Sequence, residues 1–329
     1  MIYNTEDKIN FFISKNPCLE GFNFQKIEGG KNNKGYLLKN KLGKKYFLKE
    51  YFSSKTDERN RLKIEWDFLD FIKKTNNFNF PKTIIKDESL NLALFSFIEG
   101  QKISNNEITE KHINQVADFI ISINSLLDNN YFPNMASDYN CSIHSFIETV
   151  DIRIKKLSFA TDIDLKLKNK LIILKKKIIK LWDIEKLNIN NEFSYDEIKT
   201  KTPLFLSPSD IGFHNILMNN GRLFFLDFEY SGLDDLVKLV NDFFTCPSAK
   251  IPFKFKQKFI SRLMSSLAID NFFIKRIFAL ERSYKIKWSC ILLNDYLIHS
   301  KDRRIFSENK YDHNISSDQY NRSYDLLLS

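Results

Sequence analysis

The sequence predicts an α+β protein in two lobes, a small antiparallel sheet carrying one helix and then a larger, mainly helical lobe. Two observations predict it. Before residue 100, the aromatic and aliphatic runs KGYLLKN, KKYFLKEYF and LNLALFSFIEG are separated by Gly, Asn and Lys, the punctuation of strands joined by turns. After Gly100, apolar residues recur every three or four positions over long stretches, the period of helices with one buried face. The division falls between residues 1–98 and 99–329.

In the first lobe, DERNRLKIEWDFLDFIKK carries apolar residues at Leu62, Trp66, Leu69 and Ile72 and reads as the helix. ITEKHINQVADFIISINSLL and HSFIETVDIRIKKL begin the second lobe as helices. The basic stretch LKLKNKLIILKKKIIKLW, at 165–182, repeats Leu167, Leu171, Leu174, Ile178 and Leu181. That spacing makes it an amphipathic helix with a lysine-rich solvent face. KFKQKFISRLMSSL and LERSYKIKWSCILLNDYL add later helices, and the polar segment 299–322 reads as loop-rich. One hairpin interrupts this lobe: HNILMNN and RLFFLDF are joined through Asn219-Asn220-Gly221, residues that tolerate positive φ. Asp234 and Asp235 precede LVKLVNDFF and read as a helix cap. Asp242, inside that helix, has no assigned task.

Composition excludes several classes. Hydrophobic residues at 43% and charged residues at 28% suit a water-soluble globular chain. No apolar run reaches the roughly 18 residues of a membrane span, and the first residues are a poor signal peptide. Cys18, Cys141, Cys246 and Cys290 are far apart, so neither a disulfide framework nor a thiolate zinc site is expected, and a reducing cytoplasm is. The net charge of +9 invites a nucleic-acid reading, but acidic residues are interleaved throughout and the densest lysines fall on a helix face, so no nucleic-acid partner is expected. His112, His144, His299 and His313 are isolated and lack metal-ligand spacing.

The chemistry concentrates in SPSDIGFHNILMNNGRLFFLDFEYSG, residues 207–232. An antiparallel hairpin would bring Asn215, near the start of one strand, close to Asp227, near the end of the other. Their oxygens suit magnesium, which prefers carboxylate and amide donors and keeps several waters. Asp210, on the loop just before, could accept a proton from a hydroxyl. These are the parts phosphoryl transfer needs: an aligned acceptor, neutralised charge and a positioned base.

The Asp-x-x-x-x-Asn spacing of Asp210 and Asn215, followed by Asp-Phe-Glu at 227–229, resembles the aminoglycoside phosphotransferase and choline kinase-like family, which has a protein kinase-like fold. The SPSD-x-GFHN form, with LDFEY and KW-x-C-ILLN downstream, is similar to a bacterial branch of it. The resemblance covers about residues 20–320. It implies an ATP- and Mg2+-dependent small-molecule kinase with Asp210 as base and Asn215 and Asp227 as magnesium ligands. EGGKNNKGYLL would supply Gly29, Gly30 and Asn33 as the cover over the phosphates. Lys49, on the following strand, would contact the phosphates and pair with Glu65 of the next helix; Lys44 or Lys45 could serve instead. Phe97 falls in the segment whose backbone would meet adenine.

Two positions depart from the family. Pro208 stands where many relatives have the histidine that braces the loop, and His214 where many carry glycine. Pro208 keeps open a second reading, a nucleotide-binding regulatory pseudokinase with little turnover. The acceptor would be a small hydroxyl compound resembling a sugar or an amino alcohol, and ATP against GTP stays open.

Overall fold

The computed structural model describes residues 4–28, 32–54, 59–75, 79–128, 130–298, 305–307 and 317–329. Gly29, Gly30, His299 and His313 lie outside the described residues.

The first lobe is a five-stranded antiparallel sheet in the order β1-β2-β3-β5-β4. Its strands are β1 (Phe22–Ile27), β2 (Lys34–Asn40), β3 (Lys45–Glu50), β4 (Thr83–Asp87) and β5 (Leu92–Ser96). Alternation along β5 sets its two faces. Leu92 and Leu94 pack with Leu38 and Leu48 against Ile9 and Phe12 of α1 (Thr5–Ser14), whereas Ala93 and Phe95 join the main core with Phe68 and Ile72 of α2 (Arg61–Ile72). The sequence pattern covers β2, β3, β5 and α2. It does not cover β1, β4 or α1: β4, TIIKD, is an edge strand with no fully buried residue, so its alternation is weak.

The second lobe holds α3 (Glu110–Asn124), α4 (Ile143–Lys155), α5 (Leu165–Glu192), α6 (Tyr195–Lys199), α7 (Leu236–Thr245), α8 (Lys256–Met264), α9 (Asn271–Ala279), α10 (Glu281–Leu292) and α11 (Ser317–Leu328). The basic helix α5 buries Leu171, Leu174, Ile178 and Trp182, and its Lys170, Lys176 and Lys180 are exposed. No helix among the described residues is long and apolar enough to cross a membrane.

Two expectations change. The polar stretch expected to be loop-rich contains the start of α11, which packs on α10 where Ser289 and Ser323 exchange hydroxyl-to-carbonyl bonds of 3.2 and 3.1 Å. Serines are small enough for that close approach, and a hydrophobicity pattern does not register them. The single expected hairpin, β7 (Ile216–Asn219) with β8 (Arg222–Phe225), is joined by a second strand pair, β6 (Leu204–Ser207) with β9 (Gly232–Asp235). The hairpin turn is tighter than expected. Asn219 pairs with Arg222, leaving Asn220 and Gly221 at φ of 50° and 74°, the both-positive signature of a I′ turn.

The lobes meet where the chain leaves β5. Gln101 and Met218 of β7 exchange backbone hydrogen bonds of 2.9 and 2.8 Å, and the Asn219 amide donates to the Glu99 carbonyl at 3.2 Å. The linker thus rests on the hairpin that carries the candidate chemistry.

Candidate active site

The loop before β7 is positioned from below. The buried amide of Asn124, at the end of α3, donates to the Leu206 carbonyl at 3.0 Å and accepts from the Leu206 amide at 2.7 Å, which holds β6 in register. Beyond β6, Ser209 adopts φ of 65°, a left-handed conformation that costs a non-glycine residue of order 1–3 kcal/mol. Its amide donates to the Ser207 hydroxyl at 3.0 Å, and Lys238 donates to its own hydroxyl at 3.3 Å. That bent backbone turns Asp210 outward, with its side chain 32% exposed.

Asn215 and Asp227 are neighbours through the ladder. The Leu226 amide donates to the Asn215 carbonyl at 2.9 Å, continuing the hairpin past the Ile216–Phe225 pair. Both residues lie just outside the strands rather than within them. The Asn215 side-chain nitrogen donates to the Asp210 carbonyl at 3.0 Å, so its amide oxygen is the atom it offers a cation. Asp227 also has a left-handed φ, 65°, which turns its carboxylate toward the other lobe.

The two lobes are linked through Lys49. Its Nζ lies 2.6 Å from Glu65 Oε2 and 2.6 Å from Asp227 Oδ1. Register explains why Lys49 reaches this site: on β3 it sits opposite Ala93 of β5, which with Phe95 faces the main core, whereas the adjacent Leu48 faces α1. Burial alone would lower the pKa of this ammonium, but Asp227, Glu65 and the nearby Glu229 outweigh it and hold the pKa above the ordinary lysine value. These carboxylates therefore favour the charged form of Lys49. Glu65 also accepts from the Tyr51 hydroxyl at 2.8 Å and from the Phe228 amide at 3.2 Å, so one carboxylate ties α2, β3 and the Asp-Phe-Glu loop together. Phe228 fills the space behind, stacked on Phe68 at 5.2 Å and 1% exposed.

Asn33 points elsewhere than expected of a phosphate cover. Its side chain is buried, bonded to Glu229 and accepting from the Phe52 amide at 3.0 Å. It acts as a strut, because Glu229 is fully buried and gathers Asn32 at 3.1 Å and Arg61 at 3.7 Å as well. Phe97 is half-buried on the linker with the Lys45 ammonium over its ring. The structure brings Lys49, Glu65 and Asp227 into direct contact, and it sets Asp210 and Asn215 on one loop beside them. Glu229, Lys102 and Lys238 escaped the sequence reading. Lys102 donates to the His214 carbonyl from the linker, and nothing in the sequence marks it among fifty lysines and arginines.

Beneath the loop lies a second ionic cluster. Lys238 donates to Asp234 at 2.6 Å and stands 3.7 Å from Asp242, which accepts from Lys287 and, at 2.8 Å, from the Trp288 indole. Asp235 caps α7 by accepting from the Val237 amide at 2.9 Å, as expected. Asp234 does not cap α7; it accepts from the Asn140 amide at 2.9 Å and from Lys238.

Structural comparison places this architecture among kinase-like folds. The chain matches the choline kinase LicA from Streptococcus pneumoniae with a TM-score of 0.63 at 14% identity, over 98% of each chain. It matches a choline/ethanolamine kinase family protein from Mesorhizobium loti with a TM-score of 0.62 at 14% identity, over 98% of this chain and 95% of that one. A spectinomycin phosphotransferase in complex with ADP and spectinomycin matches with a TM-score of 0.54 at 14% identity, over 92% of each chain. No protein-family model and no curated protein sequence matches the chain.

Proposed function

We propose that the chain is an ATP- and magnesium-dependent phosphotransferase that moves the γ-phosphoryl group to a hydroxyl of a small molecule. The observation that carries this reading is the Lys49 ammonium, 2.6 Å from Glu65 and 2.6 Å from an Asp227 whose side chain is 38% exposed, with Asp210 and Asn215 on the adjoining loop. A buried ion pair needs only two partners; the accessible second carboxylate gives this site somewhere to bind a ligand. The kinase-like fold, and the hydroxyl-bearing small molecules named for its structural neighbours, support the same class.

The donor set fits magnesium: the Asn215 amide oxygen and the Asp227 carboxylate are hard oxygens at adjoining positions. When bound, the ion supplies neutralisation of the charge that accumulates on the phosphate oxygens as the bond breaks. Lys49, held by Glu65, would supply a positive charge to the phosphates. Asp210 orients the acceptor hydroxyl and takes its proton as the hydroxyl oxygen bonds to the γ-phosphorus. The bond to the bridging oxygen breaks, and ADP leaves with that electron pair.

The test is ADP release by the purified chain with ATP, magnesium and a panel of sugars, amino alcohols and aminoglycosides. Acceptor-dependent release that falls roughly 10²–10⁴-fold in Asp210→Asn supports the reading. Nucleotide binding without release on any acceptor would instead support the regulatory pseudokinase.

A further inference from the structure

The candidate base has two neighbours that its reaction does not use. One carboxylate oxygen of Asp210, a ring nitrogen of His214 and the sulfur of Cys246 all lie within 4.8 Å of one another. His214 Nε2 stands 3.2 Å from Asp210 Oδ1. Two ligands held about 2.0–2.1 Å from a tetrahedral zinc ion are roughly 3.3 Å apart, so the carboxylate–imidazole spacing matches one edge of such a site. Both atoms carry lone pairs, and at this distance they need a proton or a cation between them. The other ring nitrogen, Nδ1, is buried with no hydrogen-bond partner, so the ring is held by its Nε2 side, against Asp210.

The backbone is shaped around this ring. A Cβ on Gly212 would lie 2.4 Å from His214, so only glycine lets the imidazole fold back over the loop to reach Asp210. Cys246 sits at the C-cap of α7, where the helix dipole favours a cation. Cys246 is buried, while the Asp210 and His214 side chains are 32% and 28% exposed, so two of the three groups are open to solvent. Burial and the Asp210 charge push the thiol up to about 12, so an entering metal must displace a tightly held proton.

We propose that Asp210, His214 and Cys246 form a binding site for a thiophilic divalent cation of the zinc class, and that filling it withdraws Asp210 from proton transfer. Such a metal then inhibits the reaction that magnesium supports. The site itself stands on geometry alone; the inhibition rests on the phosphotransferase reading.

Cobalt titration of the full chain in excess magnesium separates the two. The wild type is expected to bind with a sulfur-to-cobalt charge-transfer band that zinc bleaches. Cys246→Ser loses the band, and His214→Gln weakens binding by at least the roughly 10–100-fold that loss of an outer-shell partner costs. Cys18→Ser, at an exposed thiol, keeps the band, and circular dichroism checks that each variant is folded. In the transfer assay, each protein measured against its own zinc-free rate, zinc lowers the wild-type rate by about tenfold or more and that of Cys246→Ser by less than about twofold. A folded wild type without the band, or a band that survives Cys246→Ser, overturns the site whether or not the chain transfers phosphate. A site that fills with zinc while transfer proceeds unchanged overturns the inhibition.

Discussion

The junction of the lobes and the cluster beneath the Asp210 loop contain the same motif, a buried lysine between two carboxylates. Lys49 lies between Glu65 and Asp227, and Lys238 between Asp234 and Asp242. In both, burial works against the ammonium and the carboxylates overcome it, so both pKa values are raised. Access separates them. Asp227 is 38% exposed, whereas Asp234 and Asp242 are 0% and 9% exposed. A sealed network can only hold structure in place, and an open one can exchange a protein partner for a ligand. Burial of charge is therefore a poor marker of a reactive centre unless one member faces solvent.

The largest expected effect tests the open network. Asp227→Asn should lower transfer by roughly 10²–10³-fold, the size seen when one preorganised charge-stabilising group is lost, and should leave the fold intact because Lys49 keeps Glu65. A rate within a few-fold of wild type would erase the distinction between the regions. For the sealed network the prediction is reversed. Lys238→Met leaves the buried Asp234 carboxylate without its cation and should cost about 3–5 kcal/mol, read as a drop in the denaturant midpoint. Unchanged stability there would mean that the cluster is not a brace.

A smaller effect concerns pH. Lys287 is pushed down to about 8 by burial, with Asp242 opposing and Lys238 and Arg153 adding to the depression. Between about 8 and the ordinary value of 10.5, the unfolded chain holds this proton and the folded chain does not. Stability carried by this group therefore rises with pH across that window. Thermal melts of wild type and Lys287→Met at several alkaline pH values should diverge there, and parallel curves would refute the assignment. The smallest change lies outside both networks. Gly221→Ala forces a side chain into φ of 74° at the hairpin turn and should cost about 1–2 kcal/mol with no selective effect on catalysis. It calibrates how far simple destabilisation lowers activity.

Much of the site was legible because it is local. Asn215 and Asp227 flank one hairpin, Asp210 lies on the loop just before it, and Asn220-Gly221 announces the turn that pairs its strands. Strand alternation is enough to send Leu48 to one face of the sheet and Lys49 to the other. Partnerships across the chain were not legible. Glu229 is one acidic residue among many until Asn32, Asn33 and Arg61 converge on it, and Asn33 reads as part of a flexible loop until its side chain is found turned inward. Asp242 gained its partners only when α10 packed on α7 and brought Lys287 and Trp288 to it.

The amino-acid order by itself determined the two-lobed division, the hairpin and the order in which the chemical groups appear, because turn chemistry and hydrophobic period act over a few residues. Tertiary structure decided which charges are sealed and which are open, and it brought Cys246 to Asp210 and His214. Solvent access and long-range contact are properties of packed surfaces, and no stretch of chain possesses them before it folds.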